Sequence, residues 1–297
     1  MRIDLQLHSF YSDGYLSPSE LIRFINKQGV RVAALTDHNT LSGLVEFKKE
    51  AKKYSIKVIN GLELYTKYKG IKINLLWYNF NEGNENLQKL LKEIQQHRFL
   101  NCKKYLKKLK KEGYKINEDK ILSNFNDYIP INRLTDKIIS NKFNHRLLIK
   151  RLKQKSKLKG KYFLPPREED ILGELFFNKK NGKLNESYIN AERLLKIKKE
   201  VGGQIIFCHP GKSNRLANNM TEKLKKSGII DGIEVLSPHH SINTVMYVQF
   251  LAEKLDLIAS GGSDFHRFEN MAYSLKSSWE WFKIDSKNLR RIRDIIG

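Results

Sequence analysis

The stretch IDLQLHSFYSDG, residues 3–14, decides how the rest of the chain is read. Ile3, Leu5 and Leu7 alternate with Asp4 and Gln6 as in a strand, and the strand ends at His8 before a turn carrying Asp13 and Gly14. Just downstream, SPSEL supplies Ser17 as N-cap, Pro18 at the first helical position and Glu20 three residues after the cap, so a helix is expected to about Gly29.

The same rhythm continues outward. RVAALTDH reads as a buried strand, a helix follows from about Leu41 to Tyr54, and KVINGLELYT and KINLLWYNF read as two further strands. From Asn84 the spacing of Leu87, Leu90, Leu91, Ile94, Tyr105, Leu106 and Leu109 is helical as far as Gly113. Residues 115–185 carry short helical pieces, loops and basic runs, with no convincing strand. Strand and helix then alternate again: INAERLLKIKKEVGG, QIIFCHP, LANNMTEKLKKSG, DGIEVLSPHH, a helix from Ile242 to Leu255, and LIASGGSDFH. Such alternation predicts an α/β fold with a parallel sheet core. The expected organisation is a barrel part over 1–83, a mainly helical insert over 84–185 and a second barrel part over 186–297.

Composition bounds the rest. With 297 residues, 40% apolar and 29% charged, the chain can bury a large core. Cys102 and Cys208 form no paired motif, which excludes a disulfide framework and a multi-thiolate zinc site. No signal peptide and no apolar run long enough to span a membrane is seen, so a cytoplasmic protein without a membrane partner is expected. The net charge of +23 is spread along the chain and reads as a solvated basic surface that attracts anions, with a nucleic-acid partner as the alternative. The run at 150–161 reads likewise as a solvated helix face or linker.

Six of the seven proposed strands deliver the same chemistry toward their downstream ends: His8, then Asp37 with His38, Glu63, His209, Glu234 with His239, and Asp264 with His266. In a barrel of parallel strands those ends converge on one face. Singly, each residue has a plainer role, a histidine as a hydrogen-bonded structural group or Asp13 as a turn residue. Six strand ends with imidazoles and carboxylates point to a metal site, and this donor set suits zinc, manganese or iron. His97, His145 and His240 fall outside the pattern.

Those residues carry a resemblance. LQLHSFYSDG, LTDHNT, GLELYT, CHPG, GIEVLSPHH and GGSDFH resemble successive motifs of the PHP family, the polymerase and histidinol phosphatase superfamily of metal-dependent phosphoesterases. Within it the chain is most similar to the nucleoside-bisphosphate phosphatase-like branch, whose members have a helical insert and remove a phosphate from small nucleotides. The resemblance implies a distorted seven-stranded (β/α)7 barrel with an inserted helical subdomain and one to three divalent ions. One ion would rest on Gln6, His8, Glu63 and Asp264, a second on Glu63, Asn74 and His209, and a third on Asp13, His38 and His266. The family has histidine at the positions of Gln6 and Asn74, and an amide is the poorer donor, so these exchanges weaken the first two ions and spare the third.

Ions so held lower the pKa of water and screen phosphoryl oxygens, which makes a phosphatase the expected activity. Asp13, Glu63, Asp264 and His239 are the expected catalytic residues, His239 as proton donor to the leaving group or as a phosphate contact. Arg133 resembles an insert arginine near the family's phosphate cleft, and Lys212, Arg215 and Arg267 lie just past strand ends as further phosphate contacts. A small phosphorylated nucleotide is the expected substrate. A nuclease acting on short RNA or DNA, or a phosphate-binding protein without turnover, are the alternatives. CHPGKSN lacks the glycine spacing of a phosphate loop, no nucleophile elbow is present, and Cys208 within an apolar strand reads as an inert thiol.

Overall fold

The computed structural model describes residues 1–125, 127–158, 165–177, 183–212, 216, 219–267 and 283–297. The alternation at the N-terminus forms β1 (Arg2–Leu7). Ser17 and Glu20 close a reciprocal capping box that starts α1 (Pro18–Lys27), whose Leu21, Ile22 and Ile25 are buried. β2 (Val32–Leu35), α2 (Leu44–Lys52), β3 (Lys57–Tyr68) and β4 (Ile71–Tyr78) follow. Leu7, Ala33 and Leu35 on the strands pack with Leu21, Ile22 and Phe47 on the helices, so the apolar stripes of α1 and α2 are buried on one face of the sheet.

The chain divides into two compact units, Met1–Lys92 with Tyr188–Gly297, and Glu93–Ser187. α3 (Glu85–Lys111) runs from the first into the second, which also holds α4 (Glu118–Leu122), α5 (Ile131–Ile139), α6 (Lys142–Leu158) and α7 (Glu168–Phe176). This unit has its own core, including Tyr105, Leu109, Leu134, Leu148 and Phe176. Its ends are drawn together by the fully buried Arg98, which donates to the carbonyls of Ile129 and Asn185 and pairs with Glu186 at 2.9 Å.

The first unit resumes with β5 (Ile189–Asn190), α8 (Ala191–Val201), β6 (Gln204–Phe207), α9 (Met220–Lys226), β7 (Gly232–Leu236), α10 (Ile242–Lys254), β8 (Ile258–Gly261) and β9 (Ile284–Asp285). One sheet runs in the order β8, β7, β6, β4, β3, β2, β1, β9, with β5 beside β3. Seven of these strands, β8 through β1, form a nearly closed α/β barrel, and β5 and β9 are two-residue additions. The expected all-parallel core is corrected at β4, which is antiparallel to both β3 and β6. Only Lys69 and Gly70 separate β3 from β4, both at positive φ (48° and 82°). That is a two-residue hairpin turn, too short for the crossover a parallel neighbour requires. Among the described residues no helix is long and apolar enough to cross a membrane.

The seam of the barrel lies between the exit of β8 and β1. Ser263 N–H donates to Asp4 Oδ1 at 2.9 Å, His8 N–H donates to the Phe265 carbonyl at 3.0 Å, and Leu7 bridges Phe265 in parallel register. Gly262 makes the approach possible, because a Cβ there would stand 2.3 Å from Gln6 Cβ and 2.5 Å from its backbone nitrogen. Gly262→Ala is therefore expected to lower stability by about 1–3 kcal/mol in urea unfolding, the usual cost of overpacking. Unchanged stability would mean that the seam separates freely.

Candidate metal centre

Strand alternation sends Leu7 to the helices and Gln6 to the barrel interior, toward Glu63 at the middle of β3. The Glu63 side chain is 1% exposed and shares both oxygens. Gln6 Nε2 donates to Oε2 at 3.1 Å, and Asn74 Nδ2, from β4, donates to Oε1 at 2.5 Å. His8 Nε2 stands 3.2 Å from Oε2, and His209 Nε2 stands 3.4 Å from Oε1.

Three donor groups radiate from this point, each with its ligand atoms within 4.8 Å of one another: His8, Asp13, His38 and His266; His8, Glu63 and Asp264; and Glu63, Cys208 and His209. In the first, Asp13 lies 3.2 Å from His266 Nε2, 3.5 Å from His38 Nε2 and 3.6 Å from His8 Nδ1. The rings of His8 and His266 stack at 4.2 Å, and Tyr65 stacks on His38 at the same distance. In the second, Asp264 divides its oxygens, Oδ1 lying 3.1 Å from His8 Nε2 and Oδ2 2.6 Å from His239 Nε2.

Supporting residues fix these side chains. Asp37 accepts the Ser9 N–H at 2.7 Å and the hydroxyls of Ser9 and Ser12 at 2.6 Å, which orders the loop that presents Asp13. Glu234 Oε2 accepts the His209 N–H at 2.6 Å. His209 and Asp264 occupy the left-handed region, at φ 26° and 50°. Such conformations cost of order 1 kcal/mol or more in residues other than glycine and persist where the surroundings impose them.

Burial opposes charge at every group here, and mutual attraction decides the outcome. Burial notwithstanding, His38, His209 and His8 hold the Glu63 carboxyl well below the usual range, and His266, His239 and His8 do the same for Asp264. Asp13 is likewise lowered, by His266 and His38. His8 is raised well above the ordinary imidazole value because Asp264 and Glu63 outweigh its burial, whereas burial pushes His38 down to about 4. Glu234 goes the other way: burial and the neighbouring Asp264 raise it well above its usual value.

Divalent ions fit this arrangement. Both ring nitrogens of His8 and Nδ1 of His38 are buried without a well-directed hydrogen bond although they face carboxylates, and Gln6 Oε1 is buried without a partner. Imidazole nitrogens and carboxylate oxygens at this spacing are the donors a borderline metal takes.

Of the other residues singled out above, Lys212 Nζ lies 3.4 Å from His239 Nε2, and Arg267 stacks over Tyr15 at 5.3 Å on the loop beyond His266. Arg133 is on α5 in the second unit, and Arg215 lies outside the described residues. His97 and His145 are exposed on α3 and α6, and His240 is hydrogen-bonded to the Val235 carbonyl and the Gly211 N–H. Two members escaped the sequence reading. Cys208 is buried, yet its sulfur lies 3.5 Å from Glu63 Oε1 and 3.2 Å from Gln6 Nε2, among the donors rather than in apolar surroundings. Tyr65 was hidden in an ordinary strand pattern.

Comparison with known proteins places this geometry. The family model for the PHP domain matches residues 4–163. The 5'-3' exoribonuclease of Haemophilus influenzae is 28% identical over 89% of this chain and 90% of its own length. The 3',5'-nucleoside bisphosphate phosphatase of Chromobacterium violaceum is 25% identical over 89% of this chain and 87% of its own. A solved structure from Bifidobacterium adolescentis, provisionally named a metal-dependent phosphoesterase, superposes with a TM-score of 0.70 over 96% of this chain and 98% of that one at 17% identity, a likeness of fold.

Two outcomes are expected of metal binding. A ligating imidazole must be neutral, and His8 in the metal-free protein holds its proton more tightly than a free imidazole. Uptake of Mn2+ or Zn2+ in calorimetry should therefore release protons and weaken as pH falls from about 8 to about 5.5; equal affinity across that range would contradict the ligand set. The double variant Gln6→His, Asn74→His should bind more ions per chain than the wild type when metal is counted by plasma mass spectrometry, since imidazole then replaces two amide donors.

Proposed function

Because the chain belongs to the PHP domain family, we propose that its barrel mouth is a metal-dependent phosphoesterase site that removes a phosphate from a small nucleotide-type metabolite. The observation that carries this reading is the placement of Glu63 between two donor groups that share it, with a third group built on His8 and Asp13 alongside. Manganese, zinc or iron bound there would supply Lewis acidity, neutralising charge on phosphoryl oxygens and making water a stronger nucleophile near neutral pH. Glu63, His8 and Asp264 would hold one ion, Glu63, His209 and Asn74 a second, and Asp13, His38 and His266 a third. Gln6 would turn its unpartnered amide oxygen toward the first ion.

The remaining residues act on the substrate. Asp264 Oδ2 fixes the His239 ring at 2.6 Å, so that His239 faces the mouth and donates a proton to the departing oxygen. Lys212, beside that ring, draws in a phosphoryl oxygen, and Arg267 offers a guanidinium from the next loop. Arg133 is assigned a phosphate contact on the family resemblance, and Arg215 on its place in the sequence just past CHPG. Both cysteines are buried thiols outside any disulfide, which accords with a reducing cytoplasm.

The relative named as an exoribonuclease and the net charge of +23 favour a second reading, in which the same chemistry acts at the end of an RNA chain. Hydrolysis of a 5'-phosphorylated oligonucleotide but not of a nucleoside bisphosphate would select it.

His239→Ala tests the assignment of roles. With metal content unchanged, it should lower kcat on a nucleotide by about 10²- to 10⁴-fold, but on p-nitrophenyl phosphate, whose leaving group needs no proton, by less than about tenfold. Equal losses on both substrates would remove His239 from the role of proton donor.

A further inference from the structure

The second unit contains 24 lysines and arginines against 11 aspartates and glutamates, so a third of the chain carries a net +13 of the total +23. Part of this charge is paired inside the unit: Arg98 with Glu186, Arg151 with Glu112 and Lys155 with Glu174. Four more of these cations, Lys110, Lys115, Lys120 and Lys137, line one groove of about 890 Å3 formed by the end of α3, by α4 and by the turn between α5 and α6. Among the described residues, Lys110 alone of the four has a carboxylate within ion-pair reach, Glu118 at 3.9 Å. All four lysines are exposed residues.

The groove is built rather than incidental. Buried Asn144 accepts the Lys115 N–H at 2.7 Å and donates to the carbonyls of Lys115 and Ile138 at 3.0 Å, tying the loop before α4 to α5. Next to the groove, against the lining residue Lys115, stands Phe143, 45% exposed, with the Lys115 ammonium 4.7 Å from the ring centroid. Cations lining a groove beside an exposed aromatic ring are the two features with which proteins hold single strands, the cations tracking phosphates and the ring stacking on a base.

We propose that this groove binds single-stranded nucleic acid, with Lys110, Lys115, Lys120 and Lys137 on the backbone phosphates and Phe143 against a base. An acidic peptide would use the lysines and leave the ring without a planar partner. The proposal deepens the second reading of the cleft's substrate, yet it concerns a different set of residues and is read without catalysis.

The test is fluorescence anisotropy of a labelled oligouridine of about 12 nucleotides with the full chain in EDTA, where no metal-dependent hydrolysis occurs. Binding is expected to weaken with salt at a log–log slope of roughly −2 to −3. The triple variant Lys115→Ala, Lys120→Ala, Lys137→Ala should bind at least about tenfold more weakly and lose about 2 from that slope. Phe143→Ala should weaken binding about five- to tenfold at every salt concentration. The proposal is overturned if the wild type does not bind, if the triple variant binds as the wild type does, or if polyglutamate competes as well as oligouridine. Should the metal-loaded protein hydrolyse no phosphoester while oligouridine binding still depends on these lysines, the reading of the cleft falls and the groove stands.

Discussion

An ionised carboxylate withdrawn from water must be compensated by its neighbours, and in this protein that requirement falls on Glu63. Its partners come from four places in the chain: Gln6 on β1, His38 beyond β2, Asn74 on β4 and His209 beyond β6. His38 and Asn74 reach Glu63 from the strands next to β3, but Gln6 and His209 come from two strands away on either side and can reach it only because the sheet curls round a common interior. Barrel closure and site assembly are thus one event, and the seam at Gly262 and Asp4 bears on the cleft because Gln6 is part of both.

Much of this was legible in the sequence, because local rules set it. The cap at Ser17, the strand alternation before His8 and the acids and imidazoles at strand ends are each written within a few residues. The direction of β4 was legible too, in the shortness of the Lys69–Gly70 link, but a rhythm of alternating strands and helices masked it. What could not be read is long-range. That both amides turn their N–H groups on one carboxylate depends on contacts 57 and 11 residues apart, and Asp37, itself at a strand end, serves the loop of Asp13 through two serines. Cys208 looked like core because its strand neighbours are apolar; the left-handed turn at His209 swings the chain so that sulfur and imidazole meet the same acid.

The two units meet their electrostatic demands by opposite means. In the barrel, buried anions are balanced by imidazoles, which are neutral or charged according to their surroundings and yield to a metal ion. In the helical unit, the most deeply buried charge among the described residues is a guanidinium, which cannot deprotonate and is held by carbonyls and Glu186. The first arrangement is adjustable and suits a reaction centre; the second is fixed and suits a scaffold.

The backbone at His209 and Asp264 carries one last implication, for how the protein can evolve. Glycine is the residue that would sit most comfortably at those torsions, and a search for thermal resilience would find it there. Each such exchange deletes a donor from the cleft. Adaptation to heat is thereby steered away from the mouth of the barrel and onto surfaces remote from it, so hotter-living descendants should differ from this chain almost everywhere before they differ at 209 or 264.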